Sequence, residues 1–99
     1  MRRTVLLKEK ELNSFLKKYQ DWKLNPKKTI IHKIFNFDSH VEALVFIARV
    51  TVHAEVLGHH PDIDFSYKKV KVKLTTHDLK GLTKKDVELA KRIEVSSHK

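Results

Sequence analysis

The sequence predicts an α+β fold in the order α-β-β-α-β-β-α, with a four-stranded antiparallel sheet carrying its helices on one face. Three observations predict it: apolar residues recur at helical spacing near both ends and through the middle of the chain, period-2 alternation fills the stretches between, and the intervening turns are short enough for hairpins.

Leu12, Phe15, Leu16 and Tyr19 follow the i, i+3, i+4, i+7 spacing of one helix face, which predicts a first helix over residues 8–20. Trp22 and Leu24 lead into the turn signal Asn25-Pro26, and Thr29 to Phe37 is rich in β-branched and aromatic residues, the pattern of a hairpin. Ser39 and Glu42 have capping-box spacing, and the run they open contains no glycine or proline until Gly58, so the longest helix is expected over 40–57. Its apolar residues include Val41, Leu44, Val45, Ala48 and Val52, with Phe46, Ile47 and Val50 on other sides. One sheet face would not cover so broad a circumference, which points to a subunit interface.

From Asp64 onward Phe65 and Tyr67 alternate with polar residues, and then Val70, Val72 and Leu74 alternate with Lys71, Lys73 and Thr75. That predicts a short strand followed by a longer one. After Gly81-Leu82-Thr83, a last helix is expected over 84–95, with Val87, Ala90 and Ile93 on one side. Thr83 and Asp86 are spaced as its N-cap and an acidic N3 residue, and capping alone could account for that aspartate.

With 99 residues and 40% hydrophobic content, the chain suits one domain spanning 1–99. A domain of this size buries only roughly 60–65% of its unfolded surface, so oligomerisation would add useful burial. Cysteine is absent, which removes disulfides, thiolate metal sites and thiol nucleophiles together. The N-terminal Met1-Arg2-Arg3-Thr4-Val5-Leu6-Leu7-Lys8 has too short an apolar run for a signal peptide or membrane span, and the expected location is the cytoplasm. A net charge of +9 biases the protein toward anionic partners. The lysine pairs 17–18, 27–28, 68–69 and 84–85 are scattered, however, without an arginine-rich helix or aromatic platform. A solvated lysine surface is the plainer reading, and nucleic acid is not the expected partner.

Seven histidines carry the chemical interest. Gly58 should end the long helix in a left-handed conformation, leaving His59 and His60 just beyond its C-terminus, with Pro61 restricting the direction in which they point. His77 is expected at the end of the longest strand, where a side chain can project from the sheet into a cleft. Imidazole titrates near neutrality, so one neutral ring can accept a proton while a charged one donates, as an elimination requires. Glu55, four residues before His59, is placed to orient it. His40, His53 and His98 read as surface residues without a role, and His32 as a strand residue. Further ligands at zinc spacing are missing, so no metal site is expected.

Together these residues give Glu55-x3-His59-His60-Pro61-x5-Tyr67-x9-His77-x8-Asp86, which resembles the signature of the pterin-4a-carbinolamine dehydratase family, also known as a dimerisation cofactor of a homeodomain transcription factor. Trp22, Phe35-Asn36-Phe37, Thr76-His77 and Gly81-Leu82-Thr83 extend the likeness over about residues 10–95. The resemblance implies a 4a-hydroxytetrahydropterin dehydratase that eliminates water to give a quinonoid dihydropterin. It further implies His59, His60 and His77 as acid–base catalysts, with Glu55, Pro61, Tyr67 and Asp86 binding substrate or supporting the histidines. No metal or organic cofactor is implied, and the long helix would build a homodimer or homotetramer. The segment Asp62-Ile63-Asp64-Phe65 and the pair Leu79-Lys80 depart from the animal members, which bears on pocket shape.

Two other functions compete. One is a non-catalytic module whose long helix recruits a protein partner; the other, carried by net charge alone, is a basic nucleic-acid-binding domain. Binding to nucleic acid would weaken steeply with salt, whereas a dehydratase would depend on His59, His60 and His77 and tolerate scattered lysine changes.

Overall fold

A computed structural model describes residues 5–97; the charged start of the N-terminus and His98 lie outside the described residues. The elements are α1 (Glu9–Lys18), β1 (Lys23–Leu24), β2 (Ile31–Asn36), α2 (His40–Leu57), β3 (Asp62–Ser66), β4 (Lys69–Leu74), a single 3-10 turn (His77–Leu79) and α3 (Lys84–Ser96). All strand pairs are antiparallel and the order across the sheet is β1-β2-β4-β3. The fold is therefore the expected α+β arrangement, with its two longest strands in the middle.

Alternation sorts the sheet into two faces. Ile31 and Phe35 of β2 and Val70, Val72 and Leu74 of β4 are buried on one face, where Lys33 joins them with its ammonium on Glu94 of α3, while His32, Ile34, Lys71 and Lys73 point to the open side. Ala43, Phe46, Val50 and Ala54 of α2 and Leu89, Ala90 and Ile93 of α3 close over the buried face. Leu12, Phe15 and Trp22 join the same core from α1 and its exit. Trp22 is held at both ends: its ring lies edge-on to Phe35, and its indole N–H donates to Glu94 at 2.8 Å. Among the described residues no helix is long and apolar enough to cross a membrane.

The first hairpin is shorter than its sequence suggests. Asn25 Oδ1 accepts from the N–H groups of Thr29 and Ile30 at 2.7 and 2.8 Å, so neither amide is free for the ladder. The strand accordingly begins at Ile31 instead of Thr29. The second hairpin turns at Tyr67-Lys68 and starts two residues earlier than expected, at Asp62.

Caps fix the helix ends. The Ser39 side chain accepts from the Glu42 N–H, and the Glu42 carboxylate reaches the Asp38 N–H at 3.2 Å. His40 has a structural part that its isolated position in the sequence hid. It stacks on Phe65 with ring centroids 5.0 Å apart, and its Nδ1 lies 2.8 Å from the Tyr67 carbonyl, joining the start of α2 to the β3–β4 hairpin. On α2 itself Val41, Leu44, Val45, Val52 and Val56 face outward and remain exposed. The broad apolar circumference read from the sequence thus divides into a buried core face and a bare outer stripe.

Candidate active site

Gly58 ends α2 at φ 60° and ψ 33°, and the next N–H, that of His59, bonds back to the Ala54 carbonyl at 3.0 Å. Nothing lies within 4 Å of where a Cβ would be, so the left-handed backbone, not space, is what calls for glycine. His59 and His60 are thereby held against the last turn of α2, and half-buried Pro61 feeds the chain into β3.

His77 is not on the strand, as the sequence suggested, but three residues beyond Leu74, at the start of the 3-10 turn. That turn is clamped at its base. Thr76 N–H donates to the Gly81 carbonyl at 2.8 Å and Gly81 N–H returns to Thr76 at 3.4 Å, while Lys80 closes the loop in the left-handed region at φ 50°.

Asp86 sits between the two histidine-bearing segments, fully buried in the first turn of α3. Its two oxygens have separate partners. Oδ2 accepts from the Thr83 N–H at 2.9 Å and from the Thr76 hydroxyl at 2.8 Å, whereas Oδ1 accepts from His59 Nε2–H at 2.6 Å. Because the single Thr76 proton goes to Asp86, the Thr83 hydroxyl must donate to Thr76 across their 2.8 Å contact, leaving its own oxygen to accept from Lys85 N–H at 3.3 Å. The network is closed, and no buried side-chain polar atom among the described residues lacks a partner.

Each imidazole of the trio has one carboxylate beside it. His59 has Asp86, His60 Nε2 lies 3.2 Å from Glu55 Oε2, and His77 Nε2 lies 3.7 Å from Asp62 Oδ2. Glu55 therefore serves His60 and not His59, because the left-handed residue at 58 ends helical spacing one position too early for an i, i+4 contact with residue 59. The environments differ sharply: the His59 side chain is 11% exposed, against 73% for His77. All three histidines line one open cleft of about 470 Å³, together with Thr75, Asp78 and Lys85.

Of the residues singled out from sequence, the structure brings together His59, His60, His77, Glu55 and Asp86, with Pro61 in the connecting segment. Tyr67 is not among them. It occupies the β3–β4 turn at φ 54°, exposed, at the opposite end of β3 from Pro61. Sequence reasoning passed over Asp62 and gave Thr76 no role of its own. The signal for Asp62 was the hairpin register, since a two-residue turn at 67–68 pairs Asp62 with Lys73 and so sets the start of β3 beside the segment that leads to His77. Among the described residues no group of three or more histidine, cysteine or acidic side chains is arranged to hold a metal ion.

Comparison with known proteins places this geometry. The family model described as pterin 4 alpha carbinolamine dehydratase matches residues 5–96. A protein of Sulfurisphaera tokodaii named "Putative pterin-4-alpha-carbinolamine dehydratase" is 46% identical over 88 residues, covering 89% of this chain and 92% of the relative. A similarly named protein of Gloeobacter violaceus is 43% identical over 82 residues, or 81% of this chain and 89% of the relative. Among solved structures, a transcriptional coactivator/pterin dehydratase from Brucella melitensis superposes with a TM-score of 0.89 at 30% identity, covering 95% of this chain and all of the other. A pterin dehydratase-like RuBisCO assembly factor of the alpha-carboxysome shares the fold at a TM-score of 0.68 and 23% identity, over 78% of this chain and 89% of the other. With its signature histidines gathered in one cleft and its length matched nearly end to end, this chain belongs to the pterin-4a-carbinolamine dehydratase family.

Proposed function

We propose that this protein dehydrates a 4a-hydroxytetrahydropterin. The observation that carries the reading is the cleft itself, in which three imidazoles, each beside its own carboxylate, face one space in a chain of this family.

In the reaction the C4a–O bond breaks and the hydroxyl leaves as water after taking a proton from an acid. A base removes the N5 proton, and its electron pair forms the N5=C4a bond of the quinonoid dihydropterin. Only protons move and nothing is oxidised, so the step asks for no metal or organic cofactor. His59 is suited to be the base: with Nε2–H donated to Asp86, the neutral ring keeps its lone pair on Nδ1. His77, solvent-accessible and beside Asp62, is suited to be the acid, and His60 to hold the pterin. Each positioned proton transfer contributes typically ~10²–10⁴-fold.

The test is the rate of 4a-hydroxytetrahydropterin dehydration followed by ultraviolet absorbance, for the native chain and for His59→Ala and His77→Ala with folding checked. Acceleration by the native chain and its loss in both variants is expected. A folded native chain that leaves the spontaneous rate unchanged would refute the enzyme reading.

The exposed stripe of α2 supports a second element of the proposal, a homodimer or homotetramer built on that helix. Light scattering on the native chain and on Val52→Glu should report an oligomer that the variant dissociates. A monomeric native chain would favour the alternative reading, in which the same stripe recruits a different protein.

A further inference from the structure

A second cleft, of about 530 Å³, lies between α1 and α3 and shares no residue with the histidine cleft. Its apolar lining is Leu7, Phe15, Tyr19 and Val87, with Phe15 almost wholly buried in the floor. Each helix contributes one continuous stripe: Lys10, Ser14 and Lys18 stand at i, i+4, i+8 of α1, and Lys84, Val87 and Lys91 at i, i+3, i+7 of α3. At ~1.5 Å per residue these stripes run roughly 10–12 Å, the length of about two helical turns.

Charge decides what such a groove accepts. Lys10, Lys18, Lys84 and Lys91 surround it, and none of the four is ion-paired among the described residues. Two carboxylates face them, Glu11 and Glu88, of which Glu88 is already paired to Arg92 at 3.3 Å. The bare outer stripe of α2, being valine and leucine, offers no carboxylates that would answer these lysines.

We propose that the groove docks an acidic amphipathic helix of a partner protein, about two turns long. Its apolar side chains lie on Phe15 and Val87 and its carboxylates meet the four lysines, the helix-in-groove mode of recognition. Attraction of this kind weakens as salt rises.

The test uses the full chain, isotope-labelled, titrated with a synthetic peptide of about a dozen residues that has leucines at helical spacing and glutamates elsewhere. The same peptide with lysines for glutamates, and decanoate as a simple organic anion, serve as comparisons. The acidic peptide is expected to shift amide resonances along α1 and α3 and to leave those around His60 and His77 in place, while the lysine peptide shifts nothing. Lys10→Glu with Lys91→Glu, both on exposed positions, should weaken binding about tenfold, since two surface charge contacts together contribute roughly 1.4 kcal/mol. Three outcomes would each overturn the proposal: no shift at millimolar peptide, equal binding to the charge-reversed variant, or decanoate shifting the groove resonances where the peptide does not.

Discussion

Replacing Asp86 separates what its two oxygens do. Asp86→Ala removes the acceptor for the Thr83 N–H, worth about 1 kcal/mol as a helix cap, and two further hydrogen bonds to a buried carboxylate, from Thr76 and His59. Part of the loss is recovered as Thr76 and Thr83 rearrange around each other, so the expected destabilisation is about 3–5 kcal/mol. Asp86→Asn is nearly isosteric, and its carbonyl oxygen can still accept from Thr83 and Thr76, so it should cost only about 1–2 kcal/mol. Its amide, however, presents N–H to His59 Nε2, which must then accept and carry its proton on Nδ1. The ring keeps its place and loses its basic nitrogen toward the cleft. Urea unfolding followed by the fluorescence of buried Trp22 measures the first effect, and the dehydration rate measures the second, with a loss on the order of 10²-fold or more expected for Asp86→Asn. A folded Asp86→Asn protein with native activity would refute the assignment of His59 as base.

The remaining predictions concern packing and charge. Lys33 Nζ lies 2.5 Å from Glu94 Oε1, which also accepts from the buried Trp22 indole N–H, so Glu94→Ala leaves that donor unpaired and Lys33 with only exposed Asp21 at 3.9 Å, and should cost about 3 kcal/mol; Glu94→Gln, whose carbonyl oxygen can still accept from both, should cost less in the same unfolding assay, and equal losses would contradict this. Gly58→Ala forces a Cβ into the left-handed region and should cost about 1–2 kcal/mol, more than Gly58→Asn does, and equal midpoints for the native, alanine and asparagine proteins would contradict this. His32 stands between Lys23 and Lys73 in the ladder, and burial, then Lys71 and Lys73, lower its pKa from 6.5. The unfolded chain therefore takes up that proton first, and stability is lost as pH falls through about 6.5 toward the lowered folded value. His32→Gln should flatten that part of the urea midpoint's pH dependence between pH 7.5 and about 5, and an unchanged slope would contradict it.

Helix ends were legible because their chemistry is written in single residues. Ser39 and Gly58 bound α2, and Thr83 opens α3, as the sequence suggested. Features that depend on geometry beyond the local period were not. Tyr67 continues the alternation begun by Phe65, yet it is the first residue of a turn, and only the register of the following strand reveals that. Glu55 and His59 have the spacing of helical neighbours, but the left-handed glycine between them breaks the spiral and passes the carboxylate to His60. The partner of His59 is 27 residues away in sequence, and Asp62 reaches His77 only because two strands pair, so neither contact has a local signature beyond the motif that carried the resemblance.

Asp86 also shows why reading a residue as either a cap or a site residue can be a false choice. The carboxylate caps α3 through one oxygen and holds His59 through the other, and the reason is where the cleft was built. It lies where α2 ends, where α3 begins and where the 77–80 loop is clamped, so the hydrogen bonds that terminate these elements are the same ones that orient His59. Changes at Gly58, Thr76 or Asp86 must then move stability and chemistry together. His60 and His77 stand apart from that coupling, with side chains 59% and 73% exposed and carboxylate neighbours that are themselves exposed. Truncating either should change stability by no more than about 0.5 kcal/mol. At those two positions a loss of dehydration can therefore be assigned to the missing imidazole, and a loss of stability beyond that margin would mean that the cleft is held together by more than its buried side.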